Sequence, residues 1–347
     1  MLAWVGYQVG PVYVETNIRV DKFSMTNSRR QFTDLIREVA LEEGYQLESF
    51  SQDWILRLTD NNGRMQNIFG YYFDINGSAA AEICKEKAAT SSILTAHNIS
   101  NIHHELFLNP SSKLAGAYTS AVFEDITKFS ESHGNCIVVK PLKGTGGVDV
   151  FNCRTKKEVE AAVLTIFEKE YGVAVCPFYQ LGLEYRLVCL DGIVRIAYKK
   201  VRNSVVGDGN LKLRDLLVQN IMLGEGDIQS KCKAISELHA SDLDKVVEAG
   251  AMVPIQWRHN LGLGQSNIDL DIDPQTMKHL SDIAIRVTRV LGIRFCSVDI
   301  AELLPHNDLI VVEVNSGVMM DSFISDSSRR SLAKAVYKDA LTLGFKM

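Results

Sequence analysis

The chain has 347 residues, 46% hydrophobic and 23% charged, with a formal net charge of −5 and seven cysteines. That length allows two or three subdomains around a sizeable core. No window reaches the roughly 18 uninterrupted apolar residues of a membrane span, and the acidic balance argues against a nucleic-acid binder.

The opening MLAWVGYQVGPVYV lacks a basic n-region and an A-x-A site, so it reads as the first strand of a cytoplasmic protein. Cysteines without a pairing pattern fit a reducing compartment. Strands are expected over 2–9 and 12–20. Phe32, Leu35, Ile36, Val39 and Ala40 recur with helical period over 28–43, and Gly44 ends the helix. Short strands follow over 45–50, 55–58 and 68–73, with the DNNG turn at 60–63 between them. Residues 1–78 read as a small α/β N-terminal domain with a structural role.

Asn76 or Ser78 can cap a helix starting at Ala79, and Lys87 leads into a second over 88–96. Alone, a lysine at a helix start reads as solvated. The segment CIVVKPLKGTGGVDVF at 136–151 delivers Lys140 from a strand over 136–139, with Pro141 expected to stop the ladder. Gly144, Gly146 and Gly147 then lead into a strand over 148–151. Glycines let backbone N–H groups approach phosphate oxygens, and a lysine adds fixed charge. A plain hairpin fits the same residues, and neither GxxxxGK[ST] nor GxGxxG occurs.

A helix over 159–167 and a strand over 173–176 precede a hairpin, 185–190 and 193–199, turned at Asp191-Gly192. Gly207-Asp208-Gly209 is another turn, followed by a helix over 211–220. The stretch 223–251 reads as two charged helical pieces, 253–273 as irregular, and 274–291 as a strong helix. Two apolar runs, 293–300 and 309–316, carry Asp299, Glu313 and Asn315 where buried strands do not welcome charge. The intervening AELLPHND makes them an antiparallel pair, and Glu313 and Asn315 fall on one face. Three hard oxygen ligands suit Mg²⁺; strand-end capping or pairing with arginines is the competing role. Ser327 or Ser328 can cap a last helix over 330–343.

In order, a lysine-bearing helix, VVKP with a glycine loop, GLEYRLVCLDG, VVGDG, an Asn-Leu with glycines, VDI and VEVN resemble the ATP-grasp carboxylate–amine ligases. The nearest likeness is to the ATP-grasp domains of cyanophycin synthetase and bifunctional glutathione synthetase. The motifs span 79–323, about seven tenths of the chain. The resemblance implies an α/β (α+β) ATP-grasp fold. A central subdomain, 79–176, and a C-terminal one, 177–347, clasp ATP, preceded by the N-terminal domain.

It places Lys87 and Lys140 on the nucleotide phosphates, and Gly144, Thr145, Gly146 and Gly147 in the lid loop. Pro177, Phe178 and Tyr179 fall at the adenine edge, where Pro177 departs from the usual acidic pair and has no N–H to give. Glu184 falls on the ribose hydroxyls, and Asp299, Glu313 and Asn315 on Mg²⁺, with Mn²⁺ as a substitute. Arg186, Lys200, Arg258 and Asn260 match positions near the transferred phosphate or the acyl substrate. Lys200 replaces the usual arginine, Arg202 a common proline, and GLGQ an S-T-G-G type loop.

The implied chemistry is transfer of the γ-phosphate of ATP to a carboxylate, then attack by an amine. Substrates are an amino acid or small peptide, with no nucleic acid or membrane partner and a homodimer as the assembly considered. A kinase on the same fold and an ATP-binding regulatory protein without turnover are the rival readings.

Overall fold

The structure is a computed structural model that describes residues 30–113, 122–144, 146–223, 243–255, 261 and 266–347. The strands expected over 2–9 and 12–20, and most of 223–251, lie outside the described residues. Helix α1 (Gln31–Glu43) buries the expected apolar stripe and ends at Gly44, whose φ of 71° is left-handed. Strands β1 (Gln46–Phe50), β2 (Ile55–Thr59), β3 (Met65–Phe69) and β4 (Tyr72–Phe73) follow as an antiparallel sheet in that order. The single strand expected over 68–73 is therefore two. Gly70, at φ 63°, breaks it, and a Cβ there would meet the Trp54 ring at 2.9 Å.

Helices α2 (Ser78–Lys85) and α3 (Lys87–Ala96) come next. The expected cap differs. The Asn76 side chain bonds the backbone of Arg294 and Phe295, 218 and 219 residues away, while Glu86 caps α3 by accepting from Ala88 and Ala89 N–H. Strand β5 (Glu105–Leu108), α4 (Val122–Ser132), β6 (Ile137–Pro141), β7 (Phe151–Cys153), α5 (Lys156–Phe167) and β8 (Gly172–Pro177) form the central unit. Its antiparallel sheet runs β5-β8-β6-β7. Ile137, Val139, Val173 and Val175 pack with α4 and α5 residues such as Ile126 and Val163, which leaves Val138 and Lys140 on the other face. Pro141 does not stop the ladder; it pairs with Val173 as the last residue of β6.

The third unit contains β9 (Leu181–Leu190), β10 (Ile193–Arg202), β11 (Ser204–Val206), α6 (Leu213–Leu223), β12 (Met252–Pro254) and β13 (Ser266–Asp269). It continues through α7 (Pro274–Leu291), β14 (Phe295–Leu303), β15 (Asp308–Asn315), α8 (Asp321–Ile324) and α9 (Ser327–Phe345). Its antiparallel sheet runs β13-β10-β9-β14-β15. Asp191 and Gly192, at φ 51° and 76°, make the two-residue turn that the Asp-Gly pair demands. Asp273 caps α7 ahead of Pro274, and Asp326 rather than a serine caps α9.

The five-stranded sheet buries both faces. Leu187, Cys189, Val298 and Ile300 pack with α7 residues Ala284 and Val287. On the reverse, Val188, Leu190, Tyr198 and Phe295 share one core with Phe32 and Leu35 of α1, Leu58 of β2 and Tyr337 of α9. Residues 31–75 thus pack as an extra layer on the last unit. The GDG turn is a close-approach device. A Cβ on Gly207 would sit 2.1 Å from the Glu248 carbonyl oxygen, and Gly207 and Gly250 exchange backbone bonds with Ala251 and Gly207.

Candidate active site

A pocket opens where α3 and the glycine loop meet β15. Lys87, Ser91, His104 and Gly144 line one side, and Glu313 and Asn315 the other. Lys87 is the first residue of α3. Its N–H donates to the Leu142 carbonyl at 3.1 Å and its Nζ to the Gly144 carbonyl at 3.2 Å, so the helix start and the loop are tied together. Burial lowers the Lys87 pKa, with the Glu313 carboxylate raising it and the Lys140 ammonium lowering it further. Lys140 stands on β6 opposite Ala174, on the sheet face turned away from α4 and α5. The loop between them is held from outside by Lys143, whose Nζ bonds Glu82 at 2.7 Å.

Asp299 lies in the adjoining sheet and is fully buried. Register places Glu313, Asp299, Arg186 and Tyr198 side by side on β15, β14, β9 and β10, and Ala301, Glu184 and Lys200 in the neighbouring row. Arg186 grips Asp299 bidentately, Nε to Oδ1 at 2.7 Å and Nη2 to Oδ2 at 2.6 Å. Lys200 Nζ reaches Oδ2 at 2.8 Å and also bonds Glu184. Burial alone would push the Asp299 carboxyl up, but Arg186 and Lys200 outweigh it and hold the group well below the usual carboxylate range. Burial pushes Glu184 up to about 7, with Lys200 pulling against it. Lys200 itself is raised, since Asp299 and Glu184 more than offset burial and the Arg186 charge.

Whether these residues fit a divalent cation follows from their free lone pairs. Asn315 donates its amide to Glu313 Oε1 at 3.0 Å, which leaves its own Oδ1 as an acceptor beside a carboxylate. Asp299 Oδ1 accepts the Arg186 Nε–H, and a carboxylate oxygen has a second lone pair for a cation. Among the described residues no three His, Cys, Asp or Glu side chains form a metal cluster; the set here is two carboxylates and an amide. Oxygen donors of this type suit Mg²⁺; Glu313 and Asn315 line the pocket, whereas Asp299 is fully buried and held by Arg186 and Lys200.

Other expected residues are placed less simply. Pro177 closes β8 opposite Ile137, and the Phe178 N–H donates to the Cys136 carbonyl at 2.9 Å. The N–H of Phe178 is thus engaged by its own sheet rather than by an adenine edge. Phe178 and Tyr179 pack on an apolar cluster with Val138, Cys176 and Ile310. Glu184, expected at the ribose, is buried against Lys200. Arg202 donates to the Leu181 carbonyl at 3.1 Å, tying the end of β10 to the start of β9. Gly146 and Gly147 adopt φ of 72° and 70°, a left-handed backbone that suits glycine. Thr145, Arg258 and Asn260 lie outside the described residues. Two features had no sequence signal, the Lys143–Glu82 tie outside the pocket and the buried His104 that lines it.

No protein-family profile matches the chain. It is 25% identical over 298 residues to cyanophycin synthetase of Trichormus variabilis, covering 80% of this chain and 31% of that protein. It is 26% identical over 215 residues to the glutathione biosynthesis bifunctional protein GshAB of Streptococcus mutans, covering 56% of this chain and 27% of that one. The chain therefore spans under a third of the length of these two relatives. Among solved structures, a bifunctional glutathione synthetase from Pasteurella multocida superposes with a TM-score of 0.49 at 17% identity, over 89% of this chain and 43% of that one. D-alanine–D-alanine ligase from Bacillus anthracis gives 0.49 at 14% identity, over 78% and 72%. On its sequence matches and the order of its motifs, the chain resembles the ATP-grasp ligases.

Proposed function

We propose that the chain is an ATP-dependent carboxylate–amine ligase that activates the carboxylate of an amino acid or small peptide as an acylphosphate and joins it to an amine. ADP and phosphate are released. The observation that carries the reading is one pocket with Lys87 and the Gly144 loop on one side and Glu313 and Asn315 on the other. Phosphoryl transfer asks for positioning and charge neutralisation more than for covalent help, and that arrangement supplies both.

Lys87 and Lys140 hold the phosphate oxygens, and the Lys87 ammonium exchanges the Gly144 carbonyl for one of them. Glu313, Asn315 and Asp299 would hold Mg²⁺ or Mn²⁺, whose charge would offset that of the transferring phosphoryl group. Arg186 and Lys200 fix the Asp299 carboxylate and keep it ionised. Pro177, Phe178 and Tyr179 supply apolar packing for the base. Arg258 and Asn260 are assigned to the acylphosphate, where a guanidinium fork suits a phosphate. Residues 1–78, 79–176 and 177–347 are the working divisions of the enzyme. All cysteines among the described residues are free, in keeping with a cytoplasmic enzyme.

The test is a panel of amino acids and dipeptides with ATP and Mg²⁺, scored for ADP release and, with hydroxylamine present, for hydroxamate. An acylphosphate is intercepted by hydroxylamine, so a matched acid yields hydroxamate. ADP release that needs a hydroxyl acceptor and leaves a stable phosphate ester points to a kinase and overturns the ligase reading. ATP binding without ADP release from any member of the panel points to a regulatory protein.

A further inference from the structure

His104 is only 6% exposed, yet neither of its ring nitrogens has a hydrogen-bond partner. Buried polar side chains in native folds are nearly always partnered, so an orphaned imidazole asks for a ligand. Its backbone is fixed from two directions. The His104 N–H donates to Ser91 Oγ at 3.0 Å, and Ser91 Oγ donates to Asn101 Oδ1 at 2.8 Å. Asn101 bridges to Val311 on β15, and the Ile102 N–H donates to the Val311 carbonyl at 2.9 Å. The residue is held where the two sheets meet.

Register says which way it faces. Glu105, the first residue of β5, pairs with Val175, and Lys140 of β6 pairs with Ala174. Extending β5 by one residue sets His104 opposite Cys176, on the sheet face that carries Ala174 and Lys140. The ring lines the same pocket as Lys87, Gly144, Glu313 and Asn315. Burial, then the charges of Lys140 and Lys87, then His103, hold its pKa well below the usual value, opposed by the Ile102 backbone, which lies near the ring without hydrogen-bond geometry. The ring is therefore neutral near pH 7, with one N–H to donate and one lone pair.

We propose that His104 binds the polyphosphate of the nucleotide, donating its neutral N–H to a phosphate oxygen held by Lys87 and Lys140. A donor close to two ammonium groups is complementary to an oxyanion. Keeping the third group neutral limits repulsion among them before the ligand arrives. The assignment rests on the ATP-dependent reading given above and adds a contact that the motifs do not contain.

Calorimetric titration of the whole chain with ATP, ADP and adenosine, each with Mg²⁺, tests it in wild type, H104F and H104Q. H104F is expected to weaken ATP and ADP about tenfold, the loss of one hydrogen bond to a charged acceptor, and to leave adenosine as in wild type. H104Q keeps an N–H donor and is expected within about threefold of wild type. Without nucleotide, H104F should melt at or above the wild-type temperature, because it removes an unpaired buried polar group. If H104F does not fold, H104A gives the same comparison. Wild-type affinity for ATP in H104F or H104A overturns the assignment and leaves the ligase reading standing. A lower melting temperature with equal loss of adenosine and ATP also overturns it, in favour of a structural role. A wild-type chain that binds no adenine nucleotide overturns both.

Discussion

On the α3 side of the pocket, Lys87 is bonded to a neutral backbone carbonyl, that of Gly144. In the sheet behind the other side, Arg186 and Lys200 are bonded to buried carboxylates. A carbonyl gives up an ammonium readily to a phosphate oxygen, because a charged acceptor makes the stronger bond. A buried ion pair does not give up its partner, since the group left behind is an uncompensated charge in a low dielectric. The first arrangement is suited to taking a ligand, and the second to holding one carboxylate still. Two residues that the sequence presents as equivalent metal ligands, Asp299 and Glu313, therefore sit in different surroundings.

The largest effect that follows is on stability. Asp299→Asn leaves Arg186 and Lys200 buried without their main counter-charge and is expected to destabilise the fold by about 3–5 kcal/mol. The denaturant midpoint should drop with little change in slope. A loss under about 1 kcal/mol would show that water reaches the network and that the contrast between the two regions is wrong.

Glu313→Gln provides the matching measurement. The Glu313 side chain is 37% exposed and touches Arg186 only at 3.9 Å, so stability should stay within about 0.5 kcal/mol of wild type. ADP release should fall about 10²-fold if the carboxylate holds the cation at the transferring phosphoryl group. The two variants thus separate a proposed ligand whose loss also unpairs a buried network from one that acts in the pocket alone. Full activity of Glu313→Gln at saturating Mg²⁺ would remove it from the metal site.

Local pattern made a good part of this visible in the sequence. The run 274–291 reads as a strong helix, and the structure gives a helix with those bounds, capped by Asp273 and ended by Gly292. The β14–β15 pair was legible from two apolar runs and a loop. What it concealed was the partner set of Asp299, because Arg186 and Lys200 lie 113 and 99 residues away and meet it only through strand register. The same limit applies to Asn76, a helix-cap residue by local rules, which instead satisfies backbone at residues 294 and 295. His104 gave no signal at all. A histidine in IHHELF could face either side of the sheet, and only the pairing of β5 with β8 decides. Pattern reports which groups a segment must bury; long-range pairing decides which of them are already satisfied.

A smaller effect concerns pH. Burial pushes the Glu184 carboxyl up to about 7 from an ordinary 4.5, so the folded chain holds that proton more tightly than the unfolded one. The resulting stability is complete below about 4.5 and is lost as pH rises through about 7. Its size is at most about 3 kcal/mol, with the opposing pull of Lys200 already included. Asp299 has the opposite sign, but its contribution falls away only below the ordinary carboxylate range, outside this window. Melting temperatures at pH 4.5 and 7.5 should therefore converge in Glu184→Gln relative to wild type. If both proteins give the same difference, Glu184 is already ionised throughout, and the ion pair with Lys200 outweighs its burial.

The smallest effect tests the pocket side that takes the ligand. Lys143 and Glu82 are 43% and 53% exposed, and Glu82 also pairs with Lys85. The Lys143 and Lys85 bonds hold its carboxyl down at about 2. An exposed pair of this kind is worth between zero and about 1 kcal/mol, enough to bias a loop but not to fix it. Glu82→Gln should therefore speed tryptic cutting after Lys143 by no more than about fivefold, with the melting temperature unchanged. ATP and Mg²⁺ should slow cutting in both proteins, because Lys87 and the loop close on the nucleotide whether or not the outer tie is present. If Glu82→Gln is cut at the wild-type rate and nucleotide still protects, the tie is incidental and closure depends on Lys87 and the glycine backbone alone. If nucleotide protects neither protein while binding is measured separately, the loop is not a lid, and both regions of the site would be fixed in advance.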